Sequence, residues 1–378
     1  MSAPLPGQTR AQASAPLKTK AIAKKRGSSV WLTLSLYTLF VLFVFGAVGS
    51  LWFFLTESGS NLRFMAADTL ITTQHRHWAK YLIGQEELDK RVNRYWDQFD
   101  RYSEIKDKPI VQVHATETKV QEQKKPLVEI EEISGKNFKG HLLIVNDPKA
   151  LRIAVPGKAG KGEKVTSMVS RLGAVAGVNA GGFVDPEWKG NGFQPTGLVM
   201  SGGKVFYNDS GMNTPIHIVG VDKDGLMVAG KYKVSELLQM GVQEAVTFAP
   251  KFIVNGVGQI KNQADGWGIA PRTSMAQKAD GTIMFAIIDG RQPHSIGATL
   301  FDVQNIFLEH GAVTAANLDG GSSTVLVHDN KIVNKPSSEY GERYLPTAWL
   351  VFDDPMKAAQ IKNIWEGLDP SKIDPSKW

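Results

Sequence analysis

Two uninterrupted apolar runs, each ending in Asp-Gly, constrain the fold of this chain most tightly. Thr282 to Ile288 (Thr-Ile-Met-Phe-Ala-Ile-Ile) runs into Asp289-Gly290-Arg291, and the apolar stretch from Val313 runs into Asn317-Leu318-Asp319-Gly320-Gly321-Ser322-Ser323. A continuously apolar run fits a strand buried on both faces. Between the two, Leu300, Val303, Ile306 and Phe307 fall on one helical face, with Thr299 placed to cap the start and Gly311 to close the end. Strand, helix, strand within roughly forty residues is a βαβ unit, whose strands are usually parallel. Asp289 and Asp319 then stand at strand C-termini on one edge of a sheet, the edge at which open α/β sheets bind ligands. Asp-Gly is also a common tight-turn signal, so either segment alone is ambiguous; the second copy favours a site. Two neighbouring carboxylates suit cleavage of a glycosidic bond, one protonating the leaving oxygen and one acting as base or nucleophile. Adjacent strands allow a short, retaining-type separation, and an intervening strand favours a longer one.

Charge and composition narrow the alternatives. The chain has 378 residues and no cysteine, which excludes disulfides, thiolate metal sites and thiol nucleophiles without excluding an extracytoplasmic location. Its net charge of +6 comes from Arg10, Lys18, Lys20, Lys24, Lys25 and Arg26; without these six, 37 basic residues face 37 acidic ones. The remainder is neutral and nucleic-acid binding loses its compositional support. Val30 to Leu55 then carries no charge over about 26 positions, enough for a helix to cross a hydrocarbon core of roughly 30 Å. Trp31, Trp52, Phe53 and Phe54 lie near its ends as interfacial aromatics do, and the preceding basic residues put the N-terminus in the cytoplasm. Ala47-Val48-Gly49 offers a passable signal-peptidase site, but the run stays apolar to Leu55, so an uncleaved anchor is expected.

These readings divide the chain into a basic cytoplasmic tail (1–29), a transmembrane anchor (30–55), an extracytoplasmic helical stalk and linker (56–125), a catalytic domain (126–353) and a polar C-terminal tail (354–378). In the stalk, Leu88, Val92, Tyr95, Phe99 and Tyr102 step as a short heptad-like seam, too brief for a coiled coil and suited to packing on the main domain or to a spacer. Within the domain, Val165 to Leu172 reads as a helix; strands are expected at 128–133, 141–145, 174–178, 198–200, 216–221, 247–254 and 348–352. The glycine-rich Gly157 to Gly162 is no phosphate loop, because Glu163 follows. The expected fold is α+β: a mixed central β-sheet with a βαβ unit and flanking helices, preceded by one N-terminal transmembrane helix and a helical stalk.

Several separated motifs resemble one family. Asn179-Ala180-Gly181-Gly182-Phe183, Pro195-Thr196-Gly197 with Gly202-Gly203-Lys204, Pro271-Arg272-Thr273, Asp289-Gly290-Arg291-Gln292, Gly297-Ala298-Thr299-Leu300, Asn317 to Ser323, and Arg343 to Ala348 occur in the order found in the phosphodiester glycosidases. That family includes the enzyme that uncovers mannose 6-phosphate. Ala180 departs from the glycine common there. The resemblance implies a hydrolase acting on a sugar 1-phosphodiester of a cell-surface glycan or exopolysaccharide. It implies Asp319 as nucleophile or base with Asp289 as its partner, and Arg272 and Arg291 as a phosphate clamp, since guanidinium offers a planar donor fork to phosphate oxygens. Neutralising the phosphate makes it a better leaving group, so little acid assistance is needed. Asn179, Gly182, Thr273, Asn317, Gly320, Gly321, Ser322 and Arg343 complete the implied substrate-binding set, although Asn179 and Arg343 also suit bracing roles. No cofactor is expected; Asp289, Asn317 and Asp319 could offer oxygens to a divalent cation, too few ligands for a committed metal site. His294 and His310 read as a loop histidine and a helix-end histidine. Oligomeric state is left open. Two other classes compete. One is a non-catalytic anionic-glycan binding or assembly protein, which would gain nothing from paired carboxylates. The other is an esterase using Ser322, which lacks a Gly-x-Ser-x-Gly elbow.

Overall fold

The computed structural model describes residues 27–73, 75–105, 111–112, 125–186, 191–369 and 373; the basic tail and most of the 106–125 linker expectation lie outside them. The chain divides into two compact units, residues 1–60 and 61–378. In the first, α1 (Gly27–Leu55) contains 26 residues of mean hydropathy 2.2, long and apolar enough to cross a membrane and with none of its surface buried in the protein. A second helix, α2 (Glu57–Ile71), begins in this unit and continues into the second.

The second unit is built from three sheets whose neighbouring strands all pair antiparallel. The largest has the order β1 (Val128–Ser134), β2 (Lys139–Val145), β13 (Ile283–Ile288), β12 (Arg272–Lys278), β14 (Ala312–Asn317), β10 (Lys251–Val254), β11 (Val257–Gly258). The second runs β16 (Lys331–Ile332), β15 (Leu326–His328), β4 (Ala176–Asn179), β17 (Ala348–Val351), β3 (Leu151–Ala154). The third runs β6 (Lys204–Asn208), β5 (Leu198–Ser201), β9 (Val242–Thr247), β7 (Ile216–Asp222), β8 (Met227–Tyr232).

Strand β13 shows why its sequence is apolar at every position. Ile283, Phe285 and Ile287 enter a core shared by all three sheets, where they join Trp349, Ile153, Val178, Val199 and Val219. The alternate residues Met284, Ala286 and Ile288 enter a second core under helices α2, α4 (Gln85–Glu104) and α7 (Leu300–Glu309). Helix α7 is the connector of the βαβ unit. Thr299 accepts from the Asp302 N–H while the Asp302 carboxylate accepts from the Thr299 N–H, a reciprocal cap. Strands β13 and β14 are parallel to one another, but β12 lies between them and is antiparallel to both.

Two short helices cover the other sheets. Met168, Val169 and Leu172 of α5 (Val165–Leu172) pack on the second sheet, and Val234 and Leu237 of α6 (Val234–Gln239) on the third. The run 247–254 is divided, with β9 ending at Thr247 and β10 starting at Lys251. Pro250 between them has no N–H to give a ladder. The helical region from Ala66 to Glu104 is likewise broken, by α3 (Lys80–Ile83) and by Gly84 at φ 79°. The seam of α4 faces inward: Leu88 and Tyr95 are buried, with Val92, Phe99 and Tyr102 packed against the same core. The C-terminal segment is anchored by Trp365, which is 3% exposed and donates from Nε1 to the Phe193 carbonyl at 3.1 Å.

Phe285 is fully buried, and its ring lies 6.2 Å from that of Trp349 across the shared core. Phe285→Ala is expected to destabilise the protein by about 3–5 kcal/mol through lost transfer and an unfilled cavity. Urea unfolding of the detergent-solubilised chain reads this directly.

Candidate active site

The topology brings three functional strand ends to one edge. Arg272 opens β12 and pairs with Ile288, the last residue of β13; Ser274 pairs with Asn317, the last of β14. Asp289, Arg272 and Asp319 therefore emerge in that order across the edge. With one strand between them, the strands bearing the two aspartates are separated by roughly 9–10 Å.

A cavity of about 640 Å³ opens here. Its lining includes Gly182, Phe183, Asp185, Arg272, Arg291, Asn317, Asp319, Gly320, Gly321, Ser322 and Arg343. Of the residues singled out from the sequence, Asn179, Thr273 and Asp289 do not line it. Asp289 is buried, and its carboxylate accepts from Asn334 Nδ2 at 3.0 Å and the Lys335 N–H at 2.9 Å, with His294 Nε2 at 3.0 Å. It braces the loop at residues 334–335 against the end of β13. Asn179 is fully buried. It donates to the Asp319 carbonyl and accepts from Thr273 Oγ1 at 2.9 Å and the Val325 N–H at 3.1 Å. Thr273 is occupied in the same bond.

Asp319 is half-buried overall, but its Oδ2 is shielded and has no hydrogen-bond partner. Burial pushes its carboxyl up to about 6; the Ser323 hydroxyl and the Arg343 cation pull the other way, and nearby Asp185 adds to the rise. Asp185 is the second carboxylate of the cavity. It is buried and held at 2.5 Å by Arg343 Nη2, while Arg343 Nη1 donates to Ser322 Oγ at 3.2 Å and the guanidinium lies over the Phe183 ring at 5.0 Å. Arg343 thus positions Asp185 and Ser322.

The two remaining arginines differ. Arg272 is buried and donates from Nε to the Ala298 carbonyl at 3.1 Å and from Nη2 to the carbonyls of Trp267 and Gly268 at 2.6 and 2.9 Å. Burial, with Arg291 nearby, lowers its pKa to about 10, leaving it charged at neutral pH. Arg291 stands at φ 58°. Its side chain has no hydrogen-bond or ion-pair partner among the described residues, and a Cβ at Gly321 would meet its Nη2 at 3.5 Å. Gly321, at φ 59°, gives the turn after Asp319 its left-handed conformation and lies against this guanidinium. Asn317 donates to the Ala249 carbonyl at 3.3 Å and accepts from Ser274 Oγ at 3.1 Å. No group of three or more His, Asp or Glu is arranged to hold a metal ion among the described residues.

Sequence reasoning passed over Asp185 and Trp267, both in the cavity wall. Asp185 lies two residues beyond the Gly-Gly-Phe corner. Trp267, between Gly266 and Gly268, is a bulky residue at φ 57°, a conformation that the flanking glycines hint at.

Comparison with known proteins bears on the family and the fold. Residues 172–352 match the phosphodiester glycosidase family. The fold is similar to the catalytic domain of zebrafish N-acetylglucosamine-1-phosphodiester alpha-N-acetylglucosaminidase, auto-inhibited by its pro-peptide. That similarity has a TM-score of 0.51 and 22% identity over 62% of this chain and 86% of that one. An SPbeta prophage-derived uncharacterized protein, YomE of Bacillus subtilis (strain 168), is 27% identical over 212 residues, 54% of this chain and 32% of the Bacillus protein. This chain therefore spans about a third of that relative's length. The family match supports a glycosidase-like function.

The Asp319 carboxyl holds its proton to higher pH in the folded protein than in the unfolded chain. The folded state thus has the advantage below the ordinary carboxylate value of 3.8 and loses it as pH rises through about 6. The wild type is expected to lose on the order of 2 kcal/mol between pH 4 and 7 from this group, and Asp319→Asn to remove that slope. Urea titrations of both proteins at several pH values give the comparison.

Proposed function

We propose that this protein is a membrane-anchored, extracytoplasmic glycosidase that hydrolyses a sugar 1-phosphodiester of a surface glycan. The observation that carries the reading is a shielded, partnerless carboxylate oxygen on Asp319 in the same cavity as the uncommitted guanidinium of Arg291. A cavity that only bound anionic glycan would have no use for the carboxylate; one that cleaved an uncharged glycoside would have no use for the free cation.

In this reading Arg291, backed by Arg272, pairs with the phosphate. The bond between the anomeric carbon and the phosphate oxygen breaks, and the electron pair leaves with the phosphate monoester, whose charge the guanidinium offsets. Asp319 acts as its carboxylate, as nucleophile or as base towards water, and the anomeric form of the first-released sugar distinguishes the two. Asp185 orients the sugar beside it under the control of Arg343, and Gly182, Asn317, Gly320, Gly321 and Ser322 shape the walls. Asn179, Thr273 and Asp289 act through the backbone they brace.

With α- and β-linked sugar 1-phosphodiesters as substrates, Asp319→Asn is expected to lower kcat/KM by about 10²–10⁴-fold with folding retained. Wild-type kcat/KM should rise with pH through about 6 to a plateau, because the carboxylate is the working form. Asp289→Asn should keep most of its activity. Undiminished turnover by Asp319→Asn would remove that residue from the chemistry; saturable binding without any turnover would favour a glycan-binding protein.

The basic residues before the apolar helix support a cytoplasmic N-terminus. The absence of native cysteine makes this testable with single introduced thiols. In intact cells a membrane-impermeant maleimide is expected to label Lys331→Cys on the exposed strand β16 and to spare Ser14→Cys. The reverse pattern would invert the topology.

A further inference from the structure

The cavity is larger than the phosphodiester site, and about a quarter of its lining residues come from the helical segment that the sequence suggests as a stalk. Ile71, Thr72, Thr73 and Arg76 after α2, and Val92, Tyr95, Trp96 and Phe99 of α4, line the same cavity as Asp319 and Arg291. This segment precedes residues 172–352 and is no part of the family match.

Its seating on the domain is specific. Thr69 of α2 lies so close to Gly268 that a Cβ there would meet the Thr69 Cα at 2.4 Å, and Thr69 Oγ1 accepts from the Ile269 N–H at 3.0 Å. Asp68 binds Arg91 Nη1 through both oxygens at 2.9 Å, locking α2 to α4. On the far side of α4, Asp100 receives Lys231 Nζ at 2.9 Å and faces His217 Nε2 at 3.0 Å. A tether that merely held the domain away from a membrane would need none of these contacts.

The loop on which α2 sits is the one that holds Arg272. Trp267 stands at φ 57°, a costly conformation for a bulky residue, and its carbonyl takes the 2.6 Å bond from Arg272 Nη2. Contacts then run in sequence from the chemistry to the helix. Arg291 lies against Gly321, Arg272 neighbours Arg291, and the Trp267 ring is 4.0 Å from that of Phe99, itself 5.2 Å from Trp96. The Trp267 indole N–H is buried without a partner. Trp96 is 50% exposed and offers an indole at the outer end of the series.

We infer that α4 and Trp267 form a second subsite that receives a pyranose ring on the alcohol side of the phosphodiester, with Trp96 as its stacking platform. The inference rests on the glycosidase reading: with the cleaved sugar at Asp319 and the phosphate at the arginines, the alcohol arm is the part directed along the aromatic wall. A half-exposed indole on an aromatic wall suits a ring with apolar C–H faces to stack and polar edges left to water.

Three diesters of one sugar 1-phosphate test this on the full chain: a methyl ester, an ester to a second pyranose, and a dodecyl ester. Trp96→Ala should raise KM for the pyranosyl diester by about ten-fold or more. It should leave kcat and the methyl diester within about two-fold, and Trp96→Phe should recover most of the loss. Equal losses on methyl and pyranosyl diesters, or the largest loss on the dodecyl diester, would overturn the subsite. If the wild type turns over none of the three, the glycosidase reading falls first. Calorimetric affinity of wild type and Trp96→Ala for the pyranosyl diester then decides the wall, where equal affinity or no binding counts against it.

Discussion

The site depends on one buried amide. Asn179 ends β4 in the second sheet, yet its side chain reaches the Asp319 carbonyl and Thr273 of the first sheet, and the Val325 N–H where the chain returns towards β15. Each of these is a strong polar group removed from water, and leaving one unmet costs about 1–3 kcal/mol. The amide satisfies three of them together and so fixes the position at which β14 gives way to the Asp319 turn. Because the carbonyl of Asp319 is held from one side and its N–H from another, by the Ala180 carbonyl at 3.0 Å, the carboxylate has little freedom to swing away from the cavity. The corner at Asn179 and the turn at Asp319 are 140 residues apart in sequence and one structural unit in space.

That fixed backbone lets the cavity keep opposite charges unpaired. Arg343 is nearest to quenching Asp319, but it is engaged by Asp185 and Ser322. Arg272 is held by three carbonyls and cannot turn towards the carboxylate. The Arg291 guanidinium lies against Gly321 and has no hydrogen-bond or ion-pair partner among the described residues. Desolvation, with Asp185 nearby, raises the Asp319 carboxyl and outweighs the Ser323 hydroxyl and the Arg343 cation that pull it down. The result is a carboxyl poised near neutrality in the same cavity as a guanidinium with no partner among the described residues.

Much of this frame was legible in the sequence. The strands β13 and β14 and the helix between them could be read because burial on both faces, helical spacing and reciprocal capping are all local signals. The parallel relation of the two strands followed from the connector, but the interposed β12 did not, since nothing local states which strand fills a gap. The two Asp-Gly turns illustrate the limit. They look alike in sequence, and their fates are set by their partners: Asn334 and Lys335 both donate to Asp289 Oδ1 and His294 faces its Oδ2, whereas Asp319 Oδ2 meets no donor. Asn179 read as a sugar ligand ahead of a brace, and its buried partners, which lie far off in sequence, are backbone and hydroxyl groups of the neighbouring turns. Asp185 carried no periodic or spacing signal, because its importance comes from Arg343, 158 residues later.

The helical segment before the domain shows the same dependence on distant partners at larger scale. A seam of Leu88, Val92, Tyr95, Phe99 and Tyr102 predicts an apolar face and says nothing of what covers it. The cover is the second core beneath the largest sheet, and the contact is made selective by Gly268, where any side chain would collide with Thr69. Those helices therefore press on the loop that presents Trp267 and, through its carbonyl, on Arg272. A segment whose seam suits either a spacer or packing on the domain is thereby coupled to the cation behind the proposed phosphate site, so its packing and the geometry of the arginine pair cannot vary independently.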